Sequence, residues 1–193
     1  MPPADDTTYE IRTATPEDTG LVEALDGSFT TATVFHVETA EDGFTLRETA
    51  VDPPLTKVFP DDEEDSTDEG DQELRGDPTF LAVAPDGSLA GFVSVAYARW
   101  NRRLTIEDIE VAPDHRGRGV GRALMSRAEE FARERGAGHI WLEVTNINAP
   151  AIHAYRRMGF ALCGLDTSLY EFTASAGEYA LYLSKPCRGA NRD

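Results

Sequence analysis

The sequence predicts an α/β (α+β) domain with a central, mostly antiparallel mixed sheet flanked by helices. Three observations carry that prediction. Apolar and polar residues alternate in paired short runs about turn sequences, as antiparallel hairpins require. A glycine-spaced loop, HRGRGVGRAL at 115–124, leads from one such run into a helical pattern. A second helical pattern, at about 149–158, lies between two further runs.

Taken in order, Tyr9–Thr13 reads as a strand, and Thr15-Pro16-Glu17-Asp18 is a capping-box-like start for a helix through Leu21, Val22 and Leu25. Val34–Glu38 and Phe44–Glu48 alternate about Glu41-Asp42-Gly43, a first hairpin. Thr79–Ala84 and Leu89–Ala98 flank Pro85-Asp86-Gly87-Ser88, a second hairpin, and Leu104–Val111 continues the sheet into the glycine loop. From Val120 apolar positions recur at Leu124, Ala128 and Phe131, and Gly136 supplies a stop. Ile140, Leu142 and Val144 alternate as a buried strand, a helix runs from about Ala149 to Met158, and Gly159 ends it. Ala161–Tyr170 and Tyr179–Ser184 read as a final hairpin with a long connection.

With 193 residues the chain is expected to form one domain, 1–193. Within it, 61–73 holds nine acidic residues in thirteen and reads as a flexible internal loop, while 188–193 reads as a tail. Residues 1–80 carry 22 Asp and Glu against 4 Lys and Arg, whereas residues 81–193 carry 13 against 14. So acidic a first half repels nucleic acid and anionic membranes and attracts cations. Solubility or adaptation to salt would produce the same acidity. No apolar run reaches the ~18 residues of a membrane span, and MPPADDTTYE resembles neither a secretory signal nor a transit peptide. The expected location is the cytoplasm, where Cys163 and Cys187 would be thiols.

A strand, a glycine turn and a helix start bring unpaired backbone N–H groups and a positive dipole end to one point. That is an anion site, with the bare helix cap as its alternative. Gly117, Gly119 and Gly121 would let the main chain adopt positive φ and approach the anion. The loop lacks the Gly-Lys-Ser/Thr ending that places magnesium on a triphosphate, so its guest is a pyrophosphate that is held and not cleaved. A dinucleotide-binding loop would need an acidic residue about 20 positions on, within a parallel repeat. Glu143 is roughly there, yet the preceding strands read as antiparallel.

The pattern Arg-x-x-Gly-x-Gly at 116–121, after IEDIEVAP, resembles the cofactor motif of the GCN5-related N-acetyltransferases (GNAT). A second motif follows in order: Asn148, Ala151-Ile152, Tyr155 and Gly159-Phe160. Nearly the whole chain is similar to the streptothricin and nourseothricin acetyltransferase branch, through DGSFTT at 26–31, PPLTKVFPDDE at 53–63, WNRRLTIEDIEVAP at 100–113 and VTNINAPAIHAYRRMGFALCGLDTSLY at 144–170. The resemblance implies a GNAT fold with a splayed strand pair and acetyl-CoA as cosubstrate, without a metal. It implies that Arg116, Gly117, Arg118, Gly119, Val120, Gly121 and Arg122 hold the pyrophosphate, that the strand at Ile109 and Val111 pairs with the pantetheine arm, and that Asn148 bonds the same arm. For Asn148 an N-cap is the competing role.

Acetyl transfer to an amine needs a deprotonated nucleophile, a stabilised oxyanion and a proton for the departing thiolate. An alkylammonium of pKa ~10.4 is free amine in only about one part in a thousand at neutral pH, so a base helps. Alternation puts Asp108 and Glu110 on one strand face and Glu107 on the other. Glu107 is preferred as the base, since IEDI looks like the family signature, with Asp108 and Glu110 toward the substrate; solvated strand polarity is their ordinary role. The resemblance gives Tyr155 the protonation of the sulfur, although a lone aromatic on a helix is more often core. A backbone N–H of Ile109 or Val111 would serve the oxyanion. His36, His115, His139 and His153 show no metal spacing, and Trp100, Trp141 and Tyr170 would line an acceptor pocket or fill core.

These readings imply an acetyl-CoA-dependent enzyme that inactivates streptothricin-type antibiotics by acetylating an amino group of their β-lysine part. The expected partner is a cationic small-molecule amine, without nucleic acid or membrane, and a homodimer is compatible with the sequence. Another amine acceptor (a polyamine, an aminoglycoside or a protein N-terminus) and a non-catalytic acyl-CoA sensor are the alternatives.

Overall fold

The computed structural model describes residues 8–59 and 77–187. The expected acidic loop at 61–73 and the tail at 188–193 lie outside them. Two compact units divide the chain: Met1–Gly27, Asp61–Ile140 and Pro186–Asp193 form the first, and Ser28–Pro60 with Trp141–Lys185 the second. Among the described residues, seven of nine strands belong to one sheet flanked by helices, as the alternating runs predict, and two form a separate ribbon.

The first unit is built on β1 (Glu10–Thr13), β4 (Thr79–Val83), β5 (Leu89–Ala98) and β6 (Arg103–Val111), successive antiparallel neighbours in that order. The predicted Pro85–Ser88 turn closes β4 onto β5, with Asp86 Oδ1 accepting from Ser88 N (3.0 Å) and Oγ (2.6 Å). Helix α2 (Val120–Glu134) packs on this sheet through Val120, Leu124, Met125, Ala128 and Phe131, all buried at the predicted spacing. Apart from Ala128, each of these side chains contributes about 1.5–3 kcal/mol of burial. Gly136, at φ +70°, ends α2: its N–H bonds Arg133 O and the next residue, Ala137, bonds Ala132 O, closing both rings of a left-handed cap.

Helix α1 (Thr19–Glu23) is shorter than the expected run through Leu25. Asp18 explains its start. Its carboxylate accepts Arg12 Nη1 (2.8 Å) and Nη2 (2.6 Å), Thr15 N (2.8 Å) and Thr15 Oγ1 (2.9 Å), which holds the chain in a 3₁₀ turn over Pro16–Asp18 first. The Arg12 hydrogen bonds, followed by that from Thr15 N, hold this carboxyl well below the usual carboxylate range. A depressed value in the folded state gives stability that is present above the unfolded pKa of ~3.9 and is lost as pH falls through the folded value. Asp18→Asn is therefore expected to lower Tm at pH 7, with the difference from wild type shrinking below about pH 4 in thermal melts.

The second unit joins the ribbon of β2 (Phe29–Ala40) and β3 (Gly43–Lys57) to β7 (His139–Thr145, from Trp141 on), α3 (Ala149–Arg157), β8 (Ala161–Asp166) and β9 (Ala180–Pro186). Its sheet strands run β7-β9-β8, with β8 and β9 antiparallel. The ribbon is far longer than the two five-residue runs that predict it. Its register skips from Thr31–Leu55 to Thr33–Ala50, leaving Val51-Asp52-Pro53-Pro54 opposite Ala32. Two prolines offer no N–H to the ladder, so pairing breaks there and resumes on both sides. Buried Asn146 clips the ribbon to the sheet: Nδ2 donates to Phe35 O (2.7 Å), Oδ1 accepts from Tyr179 N (2.7 Å), and its own O accepts from Phe35 N (2.9 Å).

Candidate active site

Strand β6 carries the acidic residues, and it is not a regular strand. Its pairing with β5 runs Leu104–Tyr97, Thr105–Ala96 and Ile106–Val95, then Asp108–Ser94, Ile109–Val93, Glu110–Phe92 and Val111–Gly91. Glu107 is the extra residue of a β-bulge. The bulge moves the apolar face from even to odd positions, which is why Leu104 and Ile106 are followed by Ile109 and Val111. Asp108 and Glu110 share a face, as alternation predicts. Glu107 departs from the expected simple opposition, because the bulge gives it no regular place in the pleat; both Glu107 and Asp108 are exposed.

Behind Glu110 lies a residue that sequence reasoning passed over. An ideal Cβ on Gly27 would stand 2.3 Å from Glu110 Oε1, so any larger residue there would displace this carboxylate. Gly91 is more tightly constrained, since its Cβ would stand 2.5 Å from the backbone oxygen of Glu110.

After β6 the chain makes a 3₁₀ turn at Pro113–His115 and enters the glycine loop. Arg116 ties the loop down: Nε donates to Val111 O (2.8 Å) and Nη2 to Asp26 O (3.3 Å). His115 Nδ1 lies 3.1 Å from Tyr9 Oη. Gly117 and Gly119 have φ +73° and +88°, and nothing stands within 4 Å of a Cβ placed on either. Gly121 differs from expectation. It is a helical residue outside the positive-φ set, and its Cβ would stand 3.6 Å from Val111 Cγ2, so its smallness serves helix–strand packing.

No side chain caps α2, and Ala123 N to Gly119 O (3.0 Å) is its first internal bond. The amides of Val120, Gly121 and Arg122 therefore point out of the helix start beside two bare glycines, with the exposed Arg118 and Arg122 adding positive charge. This cradle fits a diphosphate. Valine at 119 would have to hold φ near +88°, which costs about 1–3 kcal/mol and puts a branched side chain on the loop's open side. Gly119→Val is expected to raise the acetyl-CoA KM about tenfold or more in steady-state assays, with kcat less affected.

In the second unit, Asn148 is the N-cap of α3, its Oδ1 accepting from Ala151 N (3.2 Å). The competing role thus occupies the oxygen and leaves the amide Nδ2 as the group a cofactor arm would use. The helix ends by the same device as α2. Gly159, at φ +90°, bonds Arg156 O, and Phe160 N bonds Tyr155 O. The Phe160 ring packs edge-on against Tyr155 at 5.9 Å, the apolar contact that such caps carry. Gly159-Phe160 is thereby explained as the device that fixes the Tyr155 ring.

The same unit holds a polar cluster that spacing could not reveal. Tyr170, from the β8–β9 connection, donates its hydroxyl to Glu143 Oε1 on β7. Glu178 accepts from Thr145 Oγ1 (2.6 Å) and pairs with Lys57. Burial, opposed by the Tyr170 hydrogen bond, raises the Glu143 carboxyl above its ordinary value, and the nearby Glu178 adds to the rise. Burial and Glu143 likewise raise the Tyr170 phenol. Trp141 stacks on Tyr182 at 4.8 Å, while Trp100 is 87% exposed.

Residues 45–160 match the acetyltransferase (GNAT) family. The chain belongs to this family. Among curated GNAT relatives, it is 65% identical over 181 residues to streptothricin acetyltransferase of Streptomyces lavendulae, covering 93% of this chain and 96% of that one. Its structure matches a crystal structure of nourseothricin acetyltransferase with TM-score 0.85 and 67% identity, over 94% of this chain and 99% of that one. A Bacillus anthracis protein solved in complex with acetyl coenzyme A shares the fold, with TM-score 0.74 and 24% identity over 93% and 99% of the two chains. In this GNAT chain the glycine loop lies in the first unit and the Asn148–Phe160 motif in the second. Of this cluster the sequence drew notice to Tyr170, as pocket lining or core, and to Glu143, only as the acid a dinucleotide loop would need; Glu178 and the pairing of the three went unread.

Proposed function

We propose that this GNAT acetyltransferase moves the acetyl group of acetyl-CoA to an amino group on the β-lysine part of streptothricin-type antibiotics, and so inactivates them. The observation that carries the reading is 65% identity, across 93% of the chain, to a streptothricin acetyltransferase. The uncapped amides of Val120, Gly121 and Arg122 bind the pyrophosphate, and the amide of Asn148 bonds the pantetheine arm. Masking the ammonium changes the drug's charge and hydrogen bonding. The enzyme works as a cytoplasmic protein on a small cationic amine.

In the transfer the amine nitrogen bonds to the thioester carbon, the carbon–sulfur bond breaks, and the sulfur takes a proton from the Tyr155 hydroxyl. The ammonium gives up two protons in the course of transfer: one goes to a carboxylate, and the other restores the Tyr155 hydroxyl after it has protonated the sulfur. Glu107 is the motif's choice. A specific observation favours Glu143 as a second reading: its burial raises it toward working pH, where a base accepts protons best. Coenzyme A release with streptothricin, set against a polyamine, an aminoglycoside and a peptide N-terminus, tests the substrate. Equal turnover on all four overturns the assignment, and tight acetyl-CoA binding without turnover on any would make the protein a sensor.

A further inference from the structure

Lys57 is one of two lysines in a chain with sixteen arginines, and it closes β3. Lysine stems on a surface are ordinarily mobile. Here Nζ meets Glu178 Oε1 and Ser175 Oγ (2.8 Å), lies 5.9 Å from the Phe59 ring centre, and both charged side chains are only 13% exposed. The other oxygen of Glu178 is held by Thr145 Oγ1 (2.6 Å). Immobilising so long a side chain costs entropy, which a solvated ion pair would not repay.

The neighbourhood gives that arrangement a purpose. The titratable groups facing Glu143 within the second unit are Tyr170, which donates to it, Glu178, which repels its charge, and Tyr182, which also senses Asp166. Glu143 and Thr145 are alternate residues of β7 and so share a face, and Thr145 Oγ1 holds Glu178 (2.6 Å), so the two carboxylates are neighbours, with Lys57 bonded to the second.

We propose that Lys57 is a positioning residue for the acceptor amine: by taking up the charge of Glu178 it leaves Glu143 as the carboxylate that meets the substrate's ammonium. The inference rests on the proposed amine acetylation and on Glu143 facing that amine. Without Lys57, the bare charge of Glu178 makes Glu143 hold its proton to higher pH and offers the ammonium a second, unproductive anion. Removing Glu178 acts in the opposite sense on Glu143.

The experiment compares pH profiles of kcat/KM for streptothricin in the wild type, Lys57→Met, Lys57→Arg and Glu178→Gln. The acid limb is expected to move up by about one pH unit in Lys57→Met, about a tenfold loss on the acid side, to return in Lys57→Arg, and to move down in Glu178→Gln. A Lys57→Met limb that coincides with wild type overturns the proposal, as does a shift of the same sign in both charge variants. Should Lys57→Met fail to fold, the direction of the Glu178→Gln shift decides. An inactive wild type would overturn the substrate reading alone; carbon-detected NMR titration of the Glu143 carboxyl, assigned by its loss in Glu143→Gln, then tests Lys57 directly. A Glu143 titration unmoved by Lys57→Met or Glu178→Gln overturns the proposal.

Discussion

Tyr155→Phe is expected to lower kcat about 100-fold or more while leaving the acetyl-CoA dissociation constant within a few-fold of wild type. The substitution removes one oxygen and nothing else. The ring keeps its edge-on contact with Phe160 at 5.9 Å, and the cap at Gly159 uses the backbone oxygen of Tyr155, so α3 ends as before. What disappears is the proposed proton donor. A thiolate leaving without one departs as an anion whose conjugate thiol has a solution pKa of about 8.5, and nothing neutralises its charge as it forms. Because that charge develops only as the carbon–sulfur bond breaks, the loss falls on the chemical step and not on binding. Single-turnover rates with saturating acetyl-CoA, alongside calorimetry of cofactor binding, separate the two. A wild-type single-turnover rate would remove Tyr155 from proton transfer. A parallel loss of cofactor affinity would make it a binding residue.

What the sequence made legible follows physical range. Local rules act within a few residues, and they foretold the β4–β5 turn, the buried stripe of α2 and the glycines that end α2 and α3. The β6 bulge was also written locally, in the 2-3-2 spacing of Leu104, Ile106, Ile109 and Val111, but strict alternation was applied across it. The length of the β2–β3 ribbon was hidden because Pro53-Pro54 reads as a strand end, and only the ladder beyond it shows that pairing resumes. Asn146 and Asn148 look alike in the sequence. One is buried with four bonds to distant backbone and the other caps its own helix, a difference that depends on Phe35 and Tyr179, more than thirty residues away in either direction. The Glu143–Tyr170 and Lys57–Glu178 pairs span 27 and 121 residues, and no spacing rule joins such partners.

Glu143→Gln is expected to cost about 100-fold in kcat/KM at pH 7, and Glu107→Gln no more than a few-fold. The two carboxylates differ in surroundings more than in chemistry. Glu107 is exposed on a bulge, where nothing on the regular ladder fixes its direction. Glu143 is half-buried, is raised by that burial, and has its position fixed by the Tyr170 hydroxyl. Raising a carboxyl narrows the gap to an ammonium of pKa ~10.4, so the proton moves less steeply uphill. Glutamine keeps the shape and accepts from Tyr170 but cannot take the proton. The signature is in the pH profile: as pH rises toward the ammonium's own value the substrate deprotonates without help, and the Glu143→Gln defect shrinks about tenfold for each pH unit over which the free-amine fraction grows tenfold. A purely structural role would leave a constant defect at every pH. A large, pH-relieved loss in Glu107→Gln, with Glu143→Gln near wild type, would return the base to the strand where the motif puts it.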